Sequence, residues 1–183
     1  MARVPDLKPD ELSDVQRKVA AEIAAGRGGV VRGPFALWLR NPELAGEASR
    51  FGSLLRVGTS VPRRLSELAI LITARHWTAQ YEWYAHETAA RDAGVADDII
   101  EAIRHRRAPA FKAADEAAVH AICTELYQTK AVSPATYETA KAALGQQMLI
   151  ELVTIATFYA MIAMILVTFE APLPEGAATP LPA

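Results

Sequence analysis

Glu67, Glu82 and His86 are the side chains of this sequence best placed to do acid–base chemistry. Glu82 and His86 stand four residues apart, a spacing that puts both on one face of an α-helix within reach of each other. Projected at about a hundred degrees per residue, residues 79–93 form a stripe of Ala79, Glu82, Trp83, His86, Ala89, Ala90 and Ala93. Gln80, Tyr84, Glu87, Thr88, Arg91 and Asp92 fall on the opposite, solvated side. Burying a carboxylate and an imidazole on an otherwise apolar stripe is costly unless they serve each other or a ligand. A histidine next to a carboxylate is suited to moving a proton to or from a small molecule.

The elements that must hold these residues all read as helix. Pro9-Asp10-Glu11 opens a helix over 9–25 that ends in a Gly-rich stretch, and Gly33-Pro34 precedes a short turn from Phe35 to Leu39. Asn41-Pro42-Glu43 supplies a capping side chain, a proline at the first helical position and an acid beside the dipole, starting a helix that runs to about Val57. Ser60 is expected to cap a helix reaching about Thr78; its LAILITA segment is apolar all round, as a central buried helix should be. The 79–93 helix stops at Gly94, a left-handed cap. Helices at 96–106, 113–130 and 134–144 follow, the last with Ser133 as cap. No segment alternates as a strand would, so the fold class is all-α. The expected division is an N-terminal helix and linker (1–34), a helical domain (35–169) and a Pro-rich C-terminal arm (170–183) that is not helical.

Leu152 to Phe169 is uncharged and reaches the lower edge of a membrane span. Three threonines and a tyrosine interrupt it, and no Lys/Arg cluster flanks it, so a helix buried in the core and in an oligomer interface is the favoured reading, without a membrane. The 183 residues suffice for one domain with a real core, and 51% hydrophobic against 22% charged residues makes the chain globular. A net charge of −2 with no basic stripe argues against nucleic acid as a partner. Cys123 is the only cysteine, which excludes an internal disulfide or CxxC couple, and its surroundings read as a helix interior. The N-terminal MARVPDLKPDEL lacks a signal peptide's apolar region, so a cytoplasmic location is expected.

Over Arg64 to Gly94 the chain resembles the carboxymuconolactone decarboxylase family, which shares its fold with AhpD-like alkylhydroperoxidases; looser similarity extends over 35–169. The peroxidase branch carries Glu, eleven residues, Cys, two residues, Cys, three residues, His. Its glutamate falls on Glu67 and its histidine on His86, while the two cysteine positions fall on Ala79 and Glu82. Alanine cannot attack a peroxide and glutamate is no redox substitute, so disulfide-type peroxidase chemistry is not expected. What remains, Glu67, Glu82 and His86, looks more like the decarboxylase branch. The resemblance implies an AhpD-like helical domain, assembly into homotrimers or homohexamers, and decarboxylation without a metal or organic cofactor.

The expected activity is therefore cofactor-free decarboxylation or isomerisation of a small lactone or keto acid by Glu67, Glu82 and His86. Arg64 or Arg75 would hold the substrate carboxylate bidentately. Trp83, close to the stripe, would form a wall, with Tyr81 and His76 also near the motif. Glu67 could instead pair with Arg63 or Arg64 on the helix surface. No HxH or HExxH spacing points to a metal. The alternative is a non-catalytic helical oligomer that binds a small ligand or a protein partner, with Glu82 and His86 as an internal structural pair. A ligand-sized pocket beside them separates the two readings.

Overall fold

A computed structural model describes residues 2–26 and 28–182. A 3₁₀ turn at Pro9–Glu11 leads into α1 (Asp14–Ala25), followed by α2 (Pro34–Trp38), α3 (Pro42–Val57), α4 (Arg63–His76) and α5 (Gln80–Asp92). Then come α6 (Asp97–Arg104), α7 (Ala114–Thr129), α8 (Pro134–Leu144) and α9 (Gln146–Thr168). Among the described residues there is no strand, and the all-α class holds.

Local chemistry accounts for most of these boundaries. The Asn41 side chain accepts from the Leu44 N–H, Ser133 from Thr136, and each is followed by proline at the first helical position. Gly94 turns at φ +96°, where a side chain would be strained. Two starts differ from expectation. Ser13, not the Pro9 turn, caps α1 through a reciprocal bond with Gln16. Ser60 does not cap α4, whose N-cap is Pro62; its N–H and hydroxyl both donate to Glu151 of α9 instead.

Helix α4 is the hub, with α5, α6, α7 and α9 packed around it, and Leu68, Ala69, Leu71 and Ala74 fully enclosed. An all-round apolar helix can have no solvent face, so its neighbours surround it. Helix α9 is long and apolar enough to cross a membrane by length and composition, yet 44% of its most apolar window is buried inside the protein. Leu152, Ile155, Ala156, Ile162 and Leu166 are among the α9 residues in the core. Its other side leaves Ile150, Met161, Met164 and Val167 exposed, and Phe51, Leu54 and Val57 are exposed on α3. The C-terminal arm is not helical, as four prolines require, but it is docked. Gln80 exchanges two hydrogen bonds with the Leu181 backbone, and the Leu181 side chain is buried.

Candidate functional site

The site forms where the N-terminal half of α4 faces the first turns of α5 across from α9. Glu67, three residues after Arg64, lies on the α4 side turned toward α5, and its Oε2 sits 2.8 Å from His86 Nδ1. Glu82, one turn before His86, brings Oε1 to 3.4 Å from the other ring nitrogen, Nε2. His86 is thus bracketed by two carboxylates, one on each nitrogen. Glu67 makes the tighter contact, although sequence spacing singled out Glu82. The Tyr159 ring of α9 meets the imidazole edge-on at 5.0 Å.

These groups line a cavity of about 670 Å³ that also reaches Tyr81, Ile155 and Tyr159. Arg32, Arg56 and Arg63 complete its wall. Arg63 Nε lies 3.7 Å from Glu67, one helical turn along α4, so the surface pair expected as an alternative coexists with the contact to His86. Gly33 is required beside Tyr81: at φ +58° a Cβ would come 2.6 Å from the ring, so only glycine lets the phenol lie against this backbone.

Electrostatics tune the pair. Burial alone would push the His86 imidazole down, but the bond to Glu67 and the charges of Glu82 and Glu67 outweigh it and hold its pKa above the usual histidine value; Arg56 opposes them. With Nδ1 held by Glu67, Nε2, 3.4 Å from Glu82, is the nitrogen placed to exchange a proton at the cavity. Since the folded pKa is raised, the stability His86 contributes is fully present below the unfolded value, about 6.5, and is lost as pH rises through the folded value. The stability gap between the native chain and His86→Gln should therefore be widest in mild acid and close with rising pH. Denaturant melts across pH 5–9, with the His86 ring followed by NMR, test this; a gap that widened with pH would contradict the assigned charge state.

Of the side chains expected to bind substrate, Tyr81 alone lines this cavity. Arg64 turns away, pairing with Asp115 at 2.7 Å and with Glu116 on α7. One residue along a helix rotates a side chain by about a hundred degrees, so Arg63 faces the cavity and Arg64 the opposite neighbour. Trp83 is not a wall. It is fully buried, its indole N–H donates to Glu87, and the Arg104 guanidinium stacks 5.2 Å from its ring. Arg75 and His76, near the C-terminal end of α4, line a separate cavity. Spacing missed Arg56 and Arg32, which come from α3 and the loop before α2. Arg63 was expected only as a surface partner of Glu67, four residues on along the same face, and not as part of the cavity wall.

Among the described residues, no group of three or more His, Cys, Asp or Glu side chains is arranged to hold a metal ion. Cys123 is buried in α7, and burial pushes its thiol up to about 12, far from thiolate chemistry. It does not line the cavity. Peroxide turnover should accordingly be negligible and unchanged in Cys123→Ser; thiol-dependent turnover that vanished in that variant would contradict the placement.

No family model matches the sequence, and no curated protein matches it. In three dimensions the chain is similar to the crystal structure of the debrominase Bmp8 in its apo form. The TM-score is 0.74, with 12% sequence identity, over 93% of this chain and 91% of that one. At that identity the likeness carries the fold, an all-helical architecture consistent with the AhpD-like domain the motif led us to expect.

Proposed function

We propose that the chain is a cofactor-free acid–base enzyme of the carboxymuconolactone decarboxylase type, acting on a small keto acid or lactone acid by decarboxylation or isomerisation. The observation that carries this reading is a histidine held between two carboxylates on the wall of a ligand-sized cavity. A purely structural pair has no need of such a cavity.

The reading assigns each group a role. Arg32, Arg56 and Arg63 supply positive charge for a substrate carboxylate and for the enolate oxygen that develops as the reaction proceeds. In decarboxylation the carbon–carboxylate bond breaks, its electron pair enters the enolate, carbon dioxide leaves, and His86 Nε2 delivers a proton to the carbon left behind. In isomerisation the same nitrogen removes a proton at one carbon and returns it at another. Glu67 fixes the ring and stabilises the imidazolium; Glu82 faces Nε2 and is placed to relay its proton. Both reactions are redox-neutral and need only proton transfer, which the His86 imidazole and its two carboxylates are suited to perform. A screen of keto acids and lactone acids, with His86→Ala as control, tests the proposal. Turnover equal in both proteins would refute it.

Assembly is part of the same proposal. Val57, 87% exposed, and Leu54, 54% exposed, lie on α3, and Met161 and Met164 on α9 are also bare. Burial of this apolar surface between copies would remove the cost of its hydration. Light scattering without detergent is expected to give a homotrimer or homohexamer, and Leu54→Glu to shift it toward monomer. A monodisperse native monomer, or a protein recovered only from membranes, would end this part of the proposal.

A further inference from the structure

A second cavity, of about 220 Å³, opens at the far end of α4 from His86, between α4, the end of α6 and α7. Arg75, Arg106, Arg107, His76 and His120 all line it, and no carboxylate does. Elsewhere Arg64, Arg91 and Arg104 each meet two carboxylates. Arg75, Arg106 and Arg107 have no carboxylate partner among the described residues.

Arg75 makes this unusual. It is only 4% exposed, and a buried cation without a counter-charge is costly. Its Nε donates to the Arg104 carbonyl at 2.8 Å and its Nη1 to the Thr78 hydroxyl at 3.1 Å. Arg106 Nη2 reaches that same hydroxyl at 3.1 Å and the Arg75 carbonyl at 3.2 Å. Two guanidinium groups therefore converge on one neutral oxygen, and burial first, then the Arg106 charge, push the Arg75 guanidinium below its ordinary pKa. Thr78 and Arg106 both adopt left-handed backbone, at φ +50° and +55°, to bring this about.

Capping explains part of the arrangement, since cations suit the C-terminal ends of α4 and α6. It does not use the remaining guanidinium N–H groups, nor the Arg107 fork, whose one bond, to the Glu101 carbonyl, is 3.5 Å long. Tyr127 is already committed to Thr73 and to the Ala156 carbonyl, and the His76 ring stacks on it at 4.8 Å, which fixes that wall.

We propose that this cavity is a binding site for a small phosphate-class oxyanion, free or as the phosphate of a monoester, held between Arg75, Arg106 and Arg107 and separate from the His86 cavity. A compact anion with several acceptor oxygens matches the converging Arg75 and Arg106 with Arg107 on the same cavity wall, supplies the missing counter-charge and fits the volume. The depressed pKa values of His76 and His120, caused first by burial and for His76 also by Arg106, leave both rings able to gain a proton when an anion arrives.

The test titrates inorganic phosphate into the full-length protein at constant ionic strength, with chloride as the matched control, and follows the His76, His120 and His86 rings by NMR. Saturable shifts of His76 and His120 with phosphate, absent with chloride, are expected. Arg107→Gln, exposed and therefore safe for folding, should weaken binding by about tenfold or more, as should Arg106→Gln. Titrating glycerol 3-phosphate in parallel distinguishes the sources. Tighter binding than phosphate assigns the site to a monoester, and equal or weaker binding to the free anion. Shifts confined to His86, a response equal in chloride, or unchanged affinity in both arginine variants would overturn the proposal.

Discussion

Replacing His86 with alanine is expected to lower turnover of the native substrate by about 10²–10⁴-fold, the range for a positioned proton-transfer group. The reason is geometric. Nδ1 is held 2.8 Å from Glu67, so Nε2 has a fixed direction into the cavity, and no other histidine lines that cavity to replace it. Glu67→Gln should cost about 10²-fold or more, because an amide can accept the Nδ1–H bond yet cannot stabilise the imidazolium by charge. The same change should lower the His86 pKa, since Glu67 contributes both a hydrogen bond and a charge that raise it. Glu82→Gln tests the second carboxylate. Its Oε1 lies 3.4 Å from Nε2, a longer contact than the 2.8 Å between Glu67 and Nδ1. The His86–Glu67 double variant should lose little more than the worse single one, because groups acting as a unit are non-additive. Folding should survive, since the cavity beside His86 admits water once the ring is gone. Variants that melted far earlier yet kept full activity per folded molecule would return the cluster to a structural role.

The helices were legible because their signals are local. Asn41-Pro42, Ser133-Pro134 and Gly94 each act within one turn of chain, and the apolar surround of α4 required neighbours on all sides. The core of the site was legible for a related reason: Glu82 and His86 share a helix face by spacing, and Glu67 joined them through the motif resemblance. The arginines were not. Arg63 and Arg64 are adjacent and chemically alike, and only the packing of α4 between the cavity and α7 sends one to Glu67 and the other to Asp115 and Glu116. Arg56 and Arg32 arrive from elements with no periodic relation to the motif. Helix α9, uncharged through most of its length, has no polar stripe to say that Ile155, Tyr159 and Ile162 face the cavity while Met161 and Met164 face outward. Ser60 had the form of a cap, but Glu151, distant in sequence, competes for it. In each case tertiary contact decided between local options that sequence leaves equal.

Trp83→Ala should destabilise the fold by about 3–5 kcal/mol, the usual cost of removing a large aromatic side chain from a packed core. Helical spacing placed Trp83 on the His86 stripe, where a wall role was expected. The indole instead points into the interior with no exposed surface. Its Nε1–H donates to Glu87 at 2.8 Å, and Glu87 in turn accepts from Arg104 and pairs with Arg91 at 2.7 Å. Removing the ring leaves a cavity, strips one donor from Glu87 and takes away the face on which Arg104 rests, so the loss should lie at the upper end of that range. For a chain of this size it corresponds to a fall in melting temperature of about 6–20 °C, compared at equal protein concentration because assembly would couple to stability. Trp83→Phe keeps most of the volume and should lose less, with the unmet Glu87 acceptor as its main defect. In both variants KM per folded molecule should stay near the native value, because Trp83 does not border the cavity that holds His86. A Trp83→Ala protein that melted like the native chain but had a raised KM would restore the indole to the substrate wall.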